Sequence, residues 1–215
     1  MPEFGSKYVL IYRTTRDILT APFSFAGQIA NTPQSTKRAE TYLGQGFLFF
    51  YSLLKLFNPA MGQTTTRTIP FGDELIALAI VAGALLFGLV VHPFAKAFMG
   101  SSARVHGTLS CFLYWTGFSV FVIPPIFAAL LMGFDWLVPA STATENIKFF
   151  AILLVGVPFM FTYYLGTICF WVAKVHNGEP IIAGLAIITA YLVATGITAV
   201  MGWAVKTSLA FLGAV

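Results

Sequence analysis

The chain has 215 residues, 58% of them hydrophobic and only 9% charged, with a mean hydropathy of +0.83. An ordinary soluble domain carries roughly 25% charged residues, so a water-soluble fold could not hide this much apolar surface; about five spans of about 20 residues would use it, with no room left for a second globular domain. The formal charge is +4, and Lys7, Arg13, Arg16, Lys37 and Arg38 all precede the first long apolar run.

The first 40 residues lack the basic start, apolar core and small-residue cleavage site of a secretory signal, so the N-terminus is expected to be kept. Residues 7–30, KYVLIYRTTRDILTAPFSFAGQIA, mix apolar side chains with Arg13, Arg16 and Asp17 and then meet Pro22. That run is too interrupted to span. It suits an interfacial helix, with Val9, Leu10, Ile11, Ile18 and Leu19 on apolar surface and the two arginines toward lipid phosphates. Packing of the same helix on the rest of the protein is the competing reading. Residues 1–40 are thus expected to be a cytoplasmic, interfacial segment and residues 41–215 a membrane domain.

After the polar stretch NTPQSTKRAET, span one covers about residues 42–57, starting a few residues earlier to reach full length, with Lys55 snorkelling at its far end. A loop with Gly62, three consecutive threonines and Pro70 leads to span two, about 75–95, ended by His92, Pro93 and Lys96. The short basic loop FMGSSARVHG precedes span three, about 108–132, where Pro124 and Pro125 predict a kink or broken helix. Span four, about 147–172, carries Pro158 near its middle as another candidate break. The turn KVHNGEP opens into span five, about 181–203, along which Ala183, Gly184, Ala186, Ala190, Ala194, Gly196 and Ala199 recur. Such small residues predict close helix contact inside the bundle or at an oligomer contact. The expected fold is an all-α polytopic transmembrane bundle with an N-terminal interfacial helix.

Orientation follows from the lysines and arginines that share a side. Five precede span one, and Lys96, Arg104 and Lys174 join them on one side; Arg67, Lys148 and Lys206 fall on the other. Eight against three puts the N-terminus in the cytoplasm and the C-terminus opposite.

No nucleophile with its base, phosphate loop, paired carboxylate or metal-ligand spacing stands out. His92, His106 and His176 all fall near span ends on the inner side, but in no usual ligand pattern, so no metal is expected. Cys111 and Cys169 lie inside apolar runs and read as packing residues. No acidic residue falls in the middle of a span, which disfavours ion-coupled transport. Tyr42, Tyr51, Tyr114, Trp115, Trp136, Trp171 and Trp203 are candidates for interfacial anchors or core packing.

Three segments and the topology carry a family resemblance. ILTAPFSFAGQI at 18–29, HPFAKAFMGSSARVHGTLSCFLYW at 92–115 and KVHNGEPIIAGLAII at 174–188 resemble, in order, the segment before the first span, the turn between spans two and three, and the turn into the last span of the Yip-domain (Ypt/Rab-interacting) family, in particular its bacterial members. The resemblance implies a non-enzymatic five-span protein; eukaryotic members associate with small GTPases and act in vesicle traffic and membrane shaping. Topology and a scaffold-like role are carried over, and no functional residue.

The expected function is therefore a membrane scaffold or accessory subunit of a larger membrane complex, related to membrane organisation or trafficking, with no catalytic residues and no cofactor beyond bound lipids. The expected partners are membrane lipids and other membrane subunits or further copies of the chain, and no nucleic acid. Arg13, Arg16, Lys37, Arg38, His92, Lys96, Arg104 and His106 are the candidate lipid or partner contacts. The alternative is a small solute transporter or channel, motivated by the prolines and by the His92, Lys96, Arg104, His106 cluster. A lipid-modifying enzyme would have only Asp17, His92, His106 and Glu179 to draw on.

Overall fold

The computed structural model describes residues 2–57, 72–137, 154 and 160–211. Among them the chain is all-helical: α1 (Pro2–Thr20), α2 (Pro22–Phe25) with a following 3-10 turn (Ala26–Gln28), α3 (Pro33–Phe57), α4 (Gly72–Met99), α5 (Val105–Leu137), α6 (Gly166–His176) and α7 (Pro180–Phe211). A π-helical stretch, Met160–Leu165, runs straight into α6. The loop expected at 58–71, most of that at 133–145, and the first part of span four with Pro158 lie outside the described residues.

Three of the described helix ends have a local cause. The polar NTPQ stretch is a helix start: Thr32 accepts the Ser35 amide at its Oγ1 (3.3 Å) and Pro33 takes the first helical position, the usual division of labour at an N-terminus. The helix therefore begins well before residue 42, and Lys37 and Arg38 sit on its exposed side while Ser35, Thr36 and Ala39 turn inward. At the end of α4, Gly100 adopts φ +59° and the Ser101 amide reaches the Lys96 carbonyl at 3.1 Å. At the end of α6, Asn177 does the same with φ 52°, and the Gly178 amide reaches the Ala173 carbonyl at 2.9 Å. Both are left-handed caps that satisfy otherwise orphaned carbonyls.

At two places a helix continues through proline. Pro93 does not end α4, which continues to Met99, and Pro124 and Pro125 lie inside the bounds of α5 rather than dividing it into separate helices. A proline forfeits one backbone bond, and a long helix can absorb that loss.

α5 is the centre of the bundle, packed on α3, α4 and α6, while α7 packs on α4 and α6. The core joins Tyr42 and Leu43 of α3, Val91 of α4, Cys111, Phe112 and Leu113 of α5, Ile168, Trp171 and Val172 of α6, and Ala183, Ala186 and Ala190 of α7. The small-residue stripe of α7 thus serves contact only in its first half. Beyond Tyr191 the helix is exposed nearly throughout. Gly117 sets the α3–α5 approach, because a Cβ there would come within 2.8 Å of the Tyr42 ring and 3.4 Å of the Leu43 Cα. Gly117→Leu should lower stability by about 3 kcal/mol through overpacking, whereas Gly83→Leu, facing open space, should leave it unchanged. Thermal unfolding of the two variants in detergent checks the contrast, and equal melting temperatures would refute it.

α1 lies on this bundle. Ile18 is fully buried and Ile11 packs against the core. Thr15 Oγ1 pairs with Tyr42 Oη at 3.0 Å, and Tyr163 Oη donates to the Ile18 and Leu19 carbonyls. The packing alternative therefore holds for the Ile11/Ile18 face, while Val9, Tyr12 and Leu19 stay exposed beside Arg13 and Arg16.

Two helices, with windows Leu78–Met99 and Pro180–Ser208, are long and apolar enough to cross a membrane. Neither window is mostly buried, at 22% and 17%, so neither behaves as the core helix of a soluble protein.

Candidate functional site

Asparagine, threonine, serine and histidine side chains gather where α4 and α6 end and where α3 and α5 begin. Thr108, at the start of α5, stands between two imidazoles: its Oγ1 is 3.0 Å from His92 Nδ1 and 2.9 Å from His176 Nε2. The imidazole rings are 5.4 Å apart. A threonine hydroxyl has a single proton to donate, so at most one imidazole accepts from Thr108 and at least one donates to it. One hydroxyl thereby ties α4, α5 and α6 together.

A second group lies on the α3 side of α5. Thr36 Oγ1 is 3.2 Å from the His106 carbonyl, 3.4 Å from His106 Nδ1 and 3.3 Å from Ser110 Oγ, and Ser110 donates back to the His106 carbonyl at 2.7 Å. Asn31 Nδ2 donates to the Val175 carbonyl at 3.4 Å, bracing the connection before α3 against the end of α6. Asn31 Oδ1 and His176 Nδ1 are buried without a partner.

The segment after α1 closes this end. Trp171, fully buried, donates from Nε1 to the Pro22 carbonyl at 2.7 Å. Phe25 meets the rings of Tyr114 at 5.1 Å and Trp171 at 5.3 Å, and Phe23 meets Phe170 at 4.8 Å. The stretches 18–29, 92–115 and 174–188, far apart in the chain, therefore converge on one end of the bundle.

The predicted contacts divide into two kinds. Arg13, Lys37, Arg38, Lys96 and Arg104 are exposed, and Arg16 is exposed but paired with Asp17 at 2.7 Å. His92 and His106 instead belong to the inner polar groups. The His106 group is separate from the His92–His176 pair, and among the described residues no three His, Cys, Asp or Glu side chains are placed to hold a metal. His176 lies outside the two apolar windows Leu78–Met99 and Pro180–Ser208, and its pKa is pushed down to about 4, first by burial and then by the neighbouring His92. It is thus a neutral imidazole at physiological pH.

Sequence reasoning did not single out Asn31, Thr36, Thr108 or Ser110. Hydroxyls near helix ends are too common to stand out, and the one available signal was that Thr108 follows His106 by two positions at a helix start. Chemically the arrangement is a set of hydrogen-bonded ties between helix ends. No protein-family model, curated protein or solved structure matches the chain.

Proposed function

We propose that the chain is a multi-pass integral membrane protein of about five spans that serves as a scaffold or accessory subunit of a larger membrane complex, with the organisation of the Yip-domain family. The observation that carries this reading is the second half of α7. Ile197, Val200, Met201, Trp203 and Val205 are each more than half exposed, along a helix with no polar face. Water would not tolerate that surface, whereas lipid and the apolar faces of other subunits would.

The opposite end of the bundle supports an orientation. Lys37, Arg38, Lys96, Arg104 and Lys174 are all exposed around the helix ends that carry the polar groups, as expected of a cytoplasmic surface next to anionic headgroups. α3 and α5, at 25 and 33 residues, supply further spans, and the π-helical stretch with α6 ends another. The N-terminus is then cytoplasmic, with α1 at the interface, where Val9, Tyr12 and Leu19 meet lipid beside the arginines. The transporter or channel alternative drew on a helix interrupted at Pro124 and Pro125, and α5 continues through that pair. The polar groups at the helix ends favour a rigid platform, because their hydroxyls are used to tie helices together.

Gentle detergent extraction from the native membrane, followed by native mass spectrometry, tests this function. Co-extracted subunits or an ordered self-assembly are expected. A monodisperse protein with neither would end the scaffold reading, and solute flux in reconstituted vesicles would replace it with transport.

A further inference from the structure

Five exposed cations accompany the polar ties from helix to helix. Lys96 comes four residues after His92, Arg104 four before Thr108 and Lys174 two before His176, while Lys37 and Arg38 directly follow Thr36. Hydrogen bonds of 3.0 and 2.9 Å join His92, Thr108 and His176, so the charges on α4, on α6 and just before α5 are held at one level by the same contacts. Among the described residues the one ion pair is Arg16–Asp17 on α1. The carboxylates nearest in sequence to the ties are Glu40 and Glu179. Five unpaired positive charges thus share this end with two carboxylates, and their mutual repulsion is relieved when anions gather beside them.

We propose that this ring of cations binds the headgroups of anionic phospholipids in preference to zwitterionic ones, an assignment that rests on the membrane-spanning reading of α4 and α7. Depth is the first argument. Lys96 lies three residues before the end of the apolar window Leu78–Met99, and Lys174 six residues before the start of the window Pro180–Ser208. Where such windows stop, hydrocarbon gives way to a polar layer about 5–7 Å deep, and a lysine stem extends into it.

Spread decides between a bilayer surface and a single soluble anion. The cations come from α3, α4, α6 and the residue before α5, and the end they surround is filled. Thr108 and His176 are buried within it, and the Met99 side chain lies so close to Gly178 that a Cβ there would collide with it. One phosphate cannot touch charges on four elements around a filled end. A layer of headgroups can, and each cation held near such a surface strengthens the attachment about fivefold. Neighbouring apolar side chains separate a lipid from an acidic protein. Phe98 is 45% exposed two residues after Lys96, and Ile181, where α7 begins, is 77% exposed. Cations flanked by exposed apolar side chains match a molecule that carries an anionic head on acyl chains.

Three measurements test the assignment. First, alkaline carbonate washing of the membranes must leave the protein in the pellet; release into the supernatant would overturn the membrane reading itself, whatever the lipid preference. Second, native mass spectrometry of the full chain in mild non-ionic detergent, with equal amounts of phosphatidylglycerol and phosphatidylcholine of matched acyl chains, should show phosphatidylglycerol retained in excess. Combining Lys96→Gln, Arg104→Gln and Lys174→Gln should lower the phosphatidylglycerol affinity about 100-fold, at about fivefold per charge. Lys206→Gln, exposed toward the other end of α7, should leave it unchanged. Equal retention of the two lipids by the parent, an unchanged excess in the triple variant, or an equal loss in Lys206→Gln would overturn the headgroup site and leave the membrane reading standing. Third, on the unmodified protein, raising ammonium acetate from about 0.05 M to about 0.5 M should remove most of the excess by screening, whereas millimolar inorganic phosphate at constant ionic strength should not. An excess that survives high salt, or that free phosphate displaces, would also overturn the proposal.

Discussion

Replacing Trp171 with alanine is expected to destabilise the fold by about 3–5 kcal/mol, the range for removing a large buried aromatic side chain, and to free the segment between α1 and α3. Trp171 is fully buried and touches that segment in two ways: its Nε1 holds the Pro22 carbonyl at 2.7 Å, and its ring lies 5.3 Å from that of Phe25. Alanine would leave a cavity beneath Phe25 and an unpaired carbonyl at Pro22. Trp171→Phe separates the two effects, since it retains most of the packing and loses only the hydrogen bond, for about 1–3 kcal/mol. Thermal unfolding in detergent gives the stabilities, and trypsin cleavage after Arg13 and Arg16, both exposed, reports whether α1 has come loose. An alanine variant as stable and as protease-resistant as the parent would show that α1 is held by other contacts.

The same segment shows where the sequence was legible. Apolar run lengths and polar interruptions located α4 and the start of α7 to within a few residues, because about 20 apolar residues in a row are written locally, whereas α7 continues to Phe211, past the expected end at 203. The start of α3 was less visible: Thr32 and Pro33 are a helix-start signal, but the polar residues after them read as a loop when hydropathy is the guide. The role of residues 18–29 was out of reach. That Phe25 would settle between Tyr114 and Trp171 depends on helices separated by most of the chain, and nothing in the local pattern marks it. Cys111, by contrast, is fully buried within an apolar run, as a small packing residue should be.

The polar end illustrates the same limit for function. Positive charge near the ends of the apolar runs was readable, and Lys37, Arg38, Lys96 and Arg104 are exposed as their chemistry requires. His92 had been grouped with those cations as a surface contact. Its hydrogen bond to Thr108 places it instead in a tie between helices, and the partner that completes the tie, His176, comes from the end of α6, 84 positions later in the chain. Long-range pairing of this kind leaves no periodicity to read.

Acidification is therefore expected to loosen this end of the bundle. His176 has its pKa pushed down to about 4 in the folded chain, against about 6.5 when exposed. Between those values the unfolded chain binds a proton that the folded chain does not, so stability is full above about pH 6.5 and falls as the pH drops toward 4. At pH 5 the loss should be about 1–2 kcal/mol once screening by nearby water and headgroups is allowed for. The local cause is plain: a proton on His176 would place a charge in a buried site 5.4 Å from the His92 ring. If both rings are charged, Thr108 faces two donors and has no acceptor for its own proton. His176→Gln keeps a side chain able to hydrogen-bond with Thr108 but cannot titrate, so its melting temperature should change less between pH 7.5 and pH 5 than that of the parent. Thr108→Val should lower stability at both pH values, by removing the hydroxyl that joins α4, α5 and α6. Parallel pH profiles for the parent and His176→Gln would mean that acid acts elsewhere in the protein, and that the imidazole between α6 and α5 is not the group whose protonation opens this end.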